Sequence, residues 1–139
     1  TLSAYEHGRK SPTLATTERL ITSAGFRLTA EPAISFREVA QPRGRSIFVP
    51  DRLWRLPVDS ALEQVALPIE LNWSMPGQRF NLRDRRQRSR CYEVVLLEGM
   101  PADLLRLIDG ALLIDCWNDL VLPSTVRTAW QPLIDGEAQ

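Results

Sequence analysis

A mainly α-helical chain is what the sequence predicts: a short helical module in front, a strand-like stretch after it, and a small helical domain behind. Three observations lead there. Of the 139 residues, 44% are apolar and 24% charged, which is enough for a core and argues against a disordered chain. Glycines and prolines cut the chain into pieces whose ends carry helix signals, at Ser11-Pro12, Gly25, Gly99, Pro101, Pro123 and Gly136. Between the helical stretches, Phe26, Leu28 and Ala30, then Ile34 and Phe36, alternate as a strand does. No apolar run approaches the roughly 20 residues of a membrane span.

Taken in order, residues 1–8 read as the last turns of a helix closed by Gly8, a glycine just past a helix end being the common left-handed cap. Ser11 is a good N-cap, and Pro12 suits a first helical position because its missing N–H has no partner to lose there. A second helix then runs from Pro12 to about Ala24, with Leu14, Leu20, Ile21 and Ala24 near helical spacing, and Gly25 caps it. Residues 26–43 read as a strand or hairpin, and the basic turn Pro42-Arg43-Gly44-Arg45 marks a boundary near position 43. Beyond it, residues 51–56 could form one helical turn, and Asp59 can cap a short helix to about Ala66. Pro68, Pro76 and Gly77 make the chain around Trp73 irregular. A longer helix follows Asn81, its expected N-cap, and ends at Gly99. The next runs from Pro101 toward Leu122 with a break or bend at Gly110, and the last from Thr125 to about Ile134.

The segment Leu2-Ser3-Ala4-Tyr5-Glu6-His7-Gly8-Arg9-Lys10-Ser11-Pro12, continued by Thr17, Arg19-Leu20-Ile21 and Ala24-Gly25, resembles the phage-repressor-type (XRE) helix-turn-helix family. There the pattern aromatic–Glu–x–Gly–basic–x–x–Pro spans the end of the recognition helix and the loop after it. The resemblance covers residues 1–28 and implies a partial helix-turn-helix module, because the family's earlier helices would precede Thr1. It implies that Ser3 and Ala4 face the bases of operator double-stranded DNA, and that His7, Arg9, Lys10 and Ser11 meet its phosphate backbone. Ala4 reaches at most a thymine methyl. Binding as a homodimer on two half-sites is the family's habit.

Residues 29–43 are then a strand-like linker and residues 44–139 a helical partner-binding domain. In that domain Leu71-Asn72-Trp73-Ser74-x-Pro76-Gly77, Asp84-Arg85-Arg86 and Tyr92-Glu93-Val94-Val95-Leu96-x-Glu98-Gly99 are similar to the C-terminal region of actinobacterial regulators encoded beside nucleotidyltransferase-type toxins. The resemblance implies a repressor that is also an antitoxin, one end on DNA and the other on a toxin protein.

Seventeen basic residues balance seventeen acidic ones. After Arg90, however, eight carboxylates face two arginines, a net −6 that leaves +6 on residues 1–90. This polarity fits a front for DNA and a back for a basic partner surface. In the back part, Asp103, Asp109, Asp115 and Asp119 read as a solvated acidic face or a recognition surface, with Asp115 and Asp119 one helical turn apart. Two adjacent carboxylates are too few for a hard metal ion. In the Arg79–Arg90 run, Arg83, Arg86 and Arg90 share one side of a helix and Arg85 and Arg88 another, as structural ion pairs or as contacts to an acidic partner or to phosphate. Trp117 and Trp130 sit at core spacing, whereas Trp54 and Trp73 lie in irregular chain and are interface candidates, with the core as the alternative reading.

The two cysteines, Cys91 and Cys116, are too few for a disulfide scaffold and read as reduced core thiols of a cytoplasmic protein. A single histidine, His7, without a metal cluster, cofactor motif or nucleophile motif, argues against an enzyme. The competing class is a ligand-sensing transcriptional regulator with no toxin partner.

Overall fold

The computed structural model describes residues 13–28 and 33–137. The chain divides between Ala33 and Ile34 into two units. Among its described residues the first unit holds one helix, α1 (Leu14–Ser23). Thr13 is its N-cap, extended in backbone, with Oγ1 accepting the Thr16 N–H at 3.1 Å. The cap therefore lies past Ser11. Ser11 and Pro12, and the preceding helix expected to end at Gly8, fall outside the described residues. At the other end Gly25 takes φ +87°. Its N–H donates to Thr22 O and that of Phe26 to Ile21 O, both at 3.0 Å, the double closure of a left-handed C-cap. Only glycine takes that φ without strain. Phe26 and Leu28, expected to open a strand, lie in irregular chain. Alternation makes a ladder only where a second strand supplies the hydrogen bonds.

The second unit opens with a hairpin. Strand β1 (Phe36–Val39) runs antiparallel to β2 (Ile47–Pro50), with Phe36 opposite Pro50 and Val39 opposite Ile47. Pro42-Arg43-Gly44-Arg45 is therefore the loop of a hairpin, and the chain divides before β1 rather than near position 43. The reason is burial: Ile47 and Val49 of β2 are core residues, and β1 follows its partner into the unit. Residues 51–57 take no helical turn. The expected 59–66 helix is split. A single turn, α2 (Val58–Ala61), carries Asp59 in its first turn behind an N-cap at Pro57, and Gln64–Ala66 form β3. β3 pairs antiparallel with β4 (Arg79–Asn81), which sets Val65 opposite Phe80 and buries both. Two cross-strand side chains in the core outweigh one more helical turn.

Helix α3 (Arg85–Glu98) begins later than expected. Its cap is Asp84, whose Oδ1 accepts the N–H groups of Arg86 and Gln87 at 2.9 and 3.1 Å. Asn81 ends β4 instead, and its Oδ1 accepts the Arg83 N–H at 3.1 Å. The region expected as one helix from Pro101 is three pieces: α4 (Pro101–Leu107), α5 (Gly110–Cys116) and a 3-10 turn (Trp117–Asp119). Pro101 does open α4, and Asp103 Oδ2 accepts the Met100 N–H at 2.9 Å. The break falls beside Gly110, as expected, because Gly110 lies against residues 53–54. Its N–H donates to Trp54 O at 2.7 Å, and a Cβ there would stand 2.7 Å from that oxygen and 3.0 Å from Leu53 Cβ. The last helix, α6 (Ser124–Glu137), is longer than expected and carries Pro132 in its interior.

One core unites these pieces. Tyr92, Val95 and Leu96 of α3 pack with Leu104, Leu107, Leu113, Trp117 and Trp130. Trp117 Nε1 donates to Gln131 Oε1 at 2.9 Å, and the Arg127 guanidinium lies 5.0 Å from the centre of its ring. Helices take up 49% of the described residues, but two small antiparallel pairs make the fold mixed rather than purely helical. Among the described residues, no helix is long and apolar enough to cross a membrane.

Candidate functional site

The residues expected to meet DNA, Ser3, Ala4, His7, Arg9, Lys10 and Ser11, all lie outside the described residues. The second unit is where geometry can be read.

There the expected acidic face comes apart. Asp109 is buried, one of four buried polar or charged residues among those described. Arg55 Nε reaches both its oxygens at 2.8 and 3.0 Å, and the Leu56 N–H donates to Oδ1 at 3.3 Å. The Asp109 N–H donates to Tyr92 Oη at 3.1 Å. A carboxylate this deep is held by charge-assisted hydrogen bonds, since unpaired it would be costly to bury. Arg55 keeps 70% of its side chain in solvent while its partner keeps 1%. Asp109 is thus a clasp between residues 55–56 and the start of α5, not a surface acid. Asp103 is spent on the start of α4.

Asp115 and Asp119 are also occupied. Arg85 Nε donates to Asp115 Oδ2 at 3.0 Å, Nη2 to the Asp115 carbonyl at 2.7 Å, and Nη1 to Asp119 Oδ2. The two carboxylates raise the Arg85 pKa, Asp115 contributing first through its hydrogen bond. Arg88, buried, adds Nη2 at 3.6 Å from Asp115 Oδ2 and donates from Nη1 to Leu82 O at 2.8 Å. Two of the four acids, Asp115 and Asp119, and two of the six arginines of the run, Arg85 and Arg88, are therefore each other's partners, the structural ion pairs that stand beside a recognition surface as a reading of the arginine run. Helix periodicity placed Arg85 and Arg88 together correctly; the signal for their partners lay 30 residues away in sequence, beyond any local pattern.

Two other expectations change. Arg83 precedes the Asp84 cap, so it is not on the helix face of Arg86 and Arg90. Trp54, an interface candidate, is a core residue whose ring meets Phe36 edge-on at 6.0 Å. Its backbone oxygen is the acceptor for the Gly110 N–H. Trp73 is 74% exposed and remains the one described tryptophan on the surface.

What stays open is a cleft of about 340 Å³ beside α3. Arg85, Arg86, Ser89, Arg90 and Glu93 line it from the helix, with Asp119 and Val121 beside them. Among the described residues, Arg79, Arg83, Arg86 and Arg90 have no ion-pair partner. Val121 is 80% exposed, and its N–H donates to Glu93 Oε1 at 2.9 Å.

The thiols are buried, Cys116 beside Ser89 of the cleft lining. Burial pushes Cys91 up to about 12 and moves Cys116 in the same direction. Neither is a ready nucleophile at neutral pH. Among the described residues, no cluster of histidine, cysteine and carboxylate side chains could hold a metal ion. Compared with known families, with curated proteins and with solved structures, the chain matches none.

Proposed function

We propose that this chain belongs to a cytoplasmic DNA-binding transcriptional repressor that acts as an antitoxin, binding an operator as a dimer through the front unit and a toxin protein through the back one. One observation carries the reading: a small front unit, whose sequence resembles the end of a helix-turn-helix, is joined to a separate unit with its own core. A helix closed by Gly25, behind the Gly8–Pro12 stretch of sequence, supports the reading. The back unit offers surface anchors of the kinds favoured at interfaces, Trp73 and the unpaired Arg83, Arg86 and Arg90.

The test has two arms. The gene product is mixed with DNA from its own promoter and the footprint read, and it is co-expressed with the product of the neighbouring gene in cells whose growth that product arrests. A protected palindrome together with restored growth supports the reading. Protection that responds to a small metabolite, with no arrest to relieve, supports a ligand-sensing regulator instead. Arg9→Ala or Lys10→Ala is expected to weaken binding to all sequences about equally and lower the salt slope by about one unit per lost phosphate contact.

A further inference from the structure

The excess of acid after Arg90 suggests that a partner of the back unit should be basic. Counted over the unit that folds, the polarity disappears: residues 34–139 hold thirteen arginines and fourteen carboxylates. Much of the acid is consumed inside it. Asp84 caps α3, Asp103 holds the start of α4, Asp109 clasps Arg55, and Asp115 and Asp119 hold Arg85. Arg86 and Arg90, one turn apart on α3, are exposed and unpaired among the described residues.

We infer that the cleft between α3 and the 3-10 turn, lined by Arg86, Ser89, Arg90 and Val121, docks an acidic segment of a protein partner that also carries an apolar side chain. The inference rests on the antitoxin reading only in naming that partner as a toxin. Two guanidiniums side by side present paired donors that match carboxylates. Val121, uncovered at the rim of the same cleft, calls for an apolar residue a short distance along the segment. A DNA duplex suits this site less well. Its phosphates offer nothing to Val121, and Glu93 and Asp119 in the same lining repel a uniform polyanion while tolerating separate carboxylates.

The probe is a capped peptide alternating Glu and Leu, added to the isotope-labelled full chain and followed by amide shifts. Controls carry Gln for Glu, carry Ala for Leu, or are a short duplex. The Glu–Leu peptide should move the amides of Arg86, Ser89, Arg90 and Val121 and bind more tightly than either control peptide. Arg86→Ala with Arg90→Ala should weaken it by at least about tenfold, and Val121→Ser should weaken it less. Both sites are exposed, so the amide spectrum elsewhere should stay unchanged. Binding unaltered in the double variant, equal binding of the Gln peptide, or stronger shifts from the duplex at these amides would overturn the inference. Co-expression separates the two readings: if the neighbouring gene product arrests no growth but the peptide still needs Arg86 and Arg90, the cleft stands and the antitoxin assignment falls.

Discussion

Helix α1 and helix α3 are both capped by a side-chain oxygen at the N-terminus, yet they are held by different means. α1 has ten residues and none is buried; Thr13 and Gly25 close its ends. α3 has fourteen, and Cys91, Tyr92, Val95 and Leu96 are shielded from solvent in a core shared with α4, α5 and α6 and with β2 and β4. An isolated helix as short as α1 is marginal in water, so its local signals carry it. In α3 the cap sets where the helix starts, and packing decides that it persists.

The largest expected effect breaks the packed side of this comparison. Trp130 is fully buried, and Trp130→Ala should cost about 3–5 kcal/mol, enough to unfold the back unit or leave it barely folded. Cys91 and Cys116 report it: buried in the native protein, they should react with an aromatic disulfide reagent only on unfolding, and quickly in the variant. Amide shifts of residues 14–23 should barely change. If α1 melts together with the back unit, the two are not independently held.

Next in size is the clasp between residues 53–56 and α5. Gly110→Ala sets a methyl against the Trp54 carbonyl and should cost about 1–3 kcal/mol through forced displacement. Asp109→Asn removes the charge that Arg55 holds. Because Arg55 is mostly solvated, it can turn to water, and the cost should stay near about 1–3 kcal/mol. Denaturant midpoints measure both. Thr13→Ala is expected to cost α1 about 0.5–2 kcal/mol, seen as fraying of residues 14–17 by hydrogen exchange, with the back unit's midpoint unmoved.

The smallest effects are in the pH response, and both come from the back unit. Backbone hydrogen bonds, chiefly from Gln87, lower the Asp84 carboxyl below its ordinary value of 3.8. Its contribution to α3 is therefore present above that value and lost as pH falls through the lower folded pKa. Cys91 is displaced the other way, from 9.0 to about 12. Stability from its buried thiol is complete below 9.0 and declines as pH rises toward 12. Acid and alkaline melting curves of the native protein beside Asp84→Asn and Cys91→Ala check both signs.

Local chemistry alone determined a good deal. Gly25 as a C-cap, Pro101 as a helix start, the break beside Gly110, and Trp117 and Trp130 as core residues all follow from rules that act within a few residues. The tertiary structure decided what depends on distant partners. Residues 64–66 become a strand because Phe80 lies opposite Val65, and Pro42–Arg45 becomes a hairpin loop because β1 pairs with β2. Trp54 goes inside because Phe36 and the rest of the core pack against its ring, while its backbone oxygen accepts the Gly110 N–H. Asp115 and Asp119, read from the sequence as a solvated face or a recognition surface, hold Arg85 between them. A cap, a turn or a helix stop is set by atoms the chain holds within one or two turns. A strand pairing or a buried ion pair is a choice among all residues of the right type, and only the folded chain brings the chosen ones together.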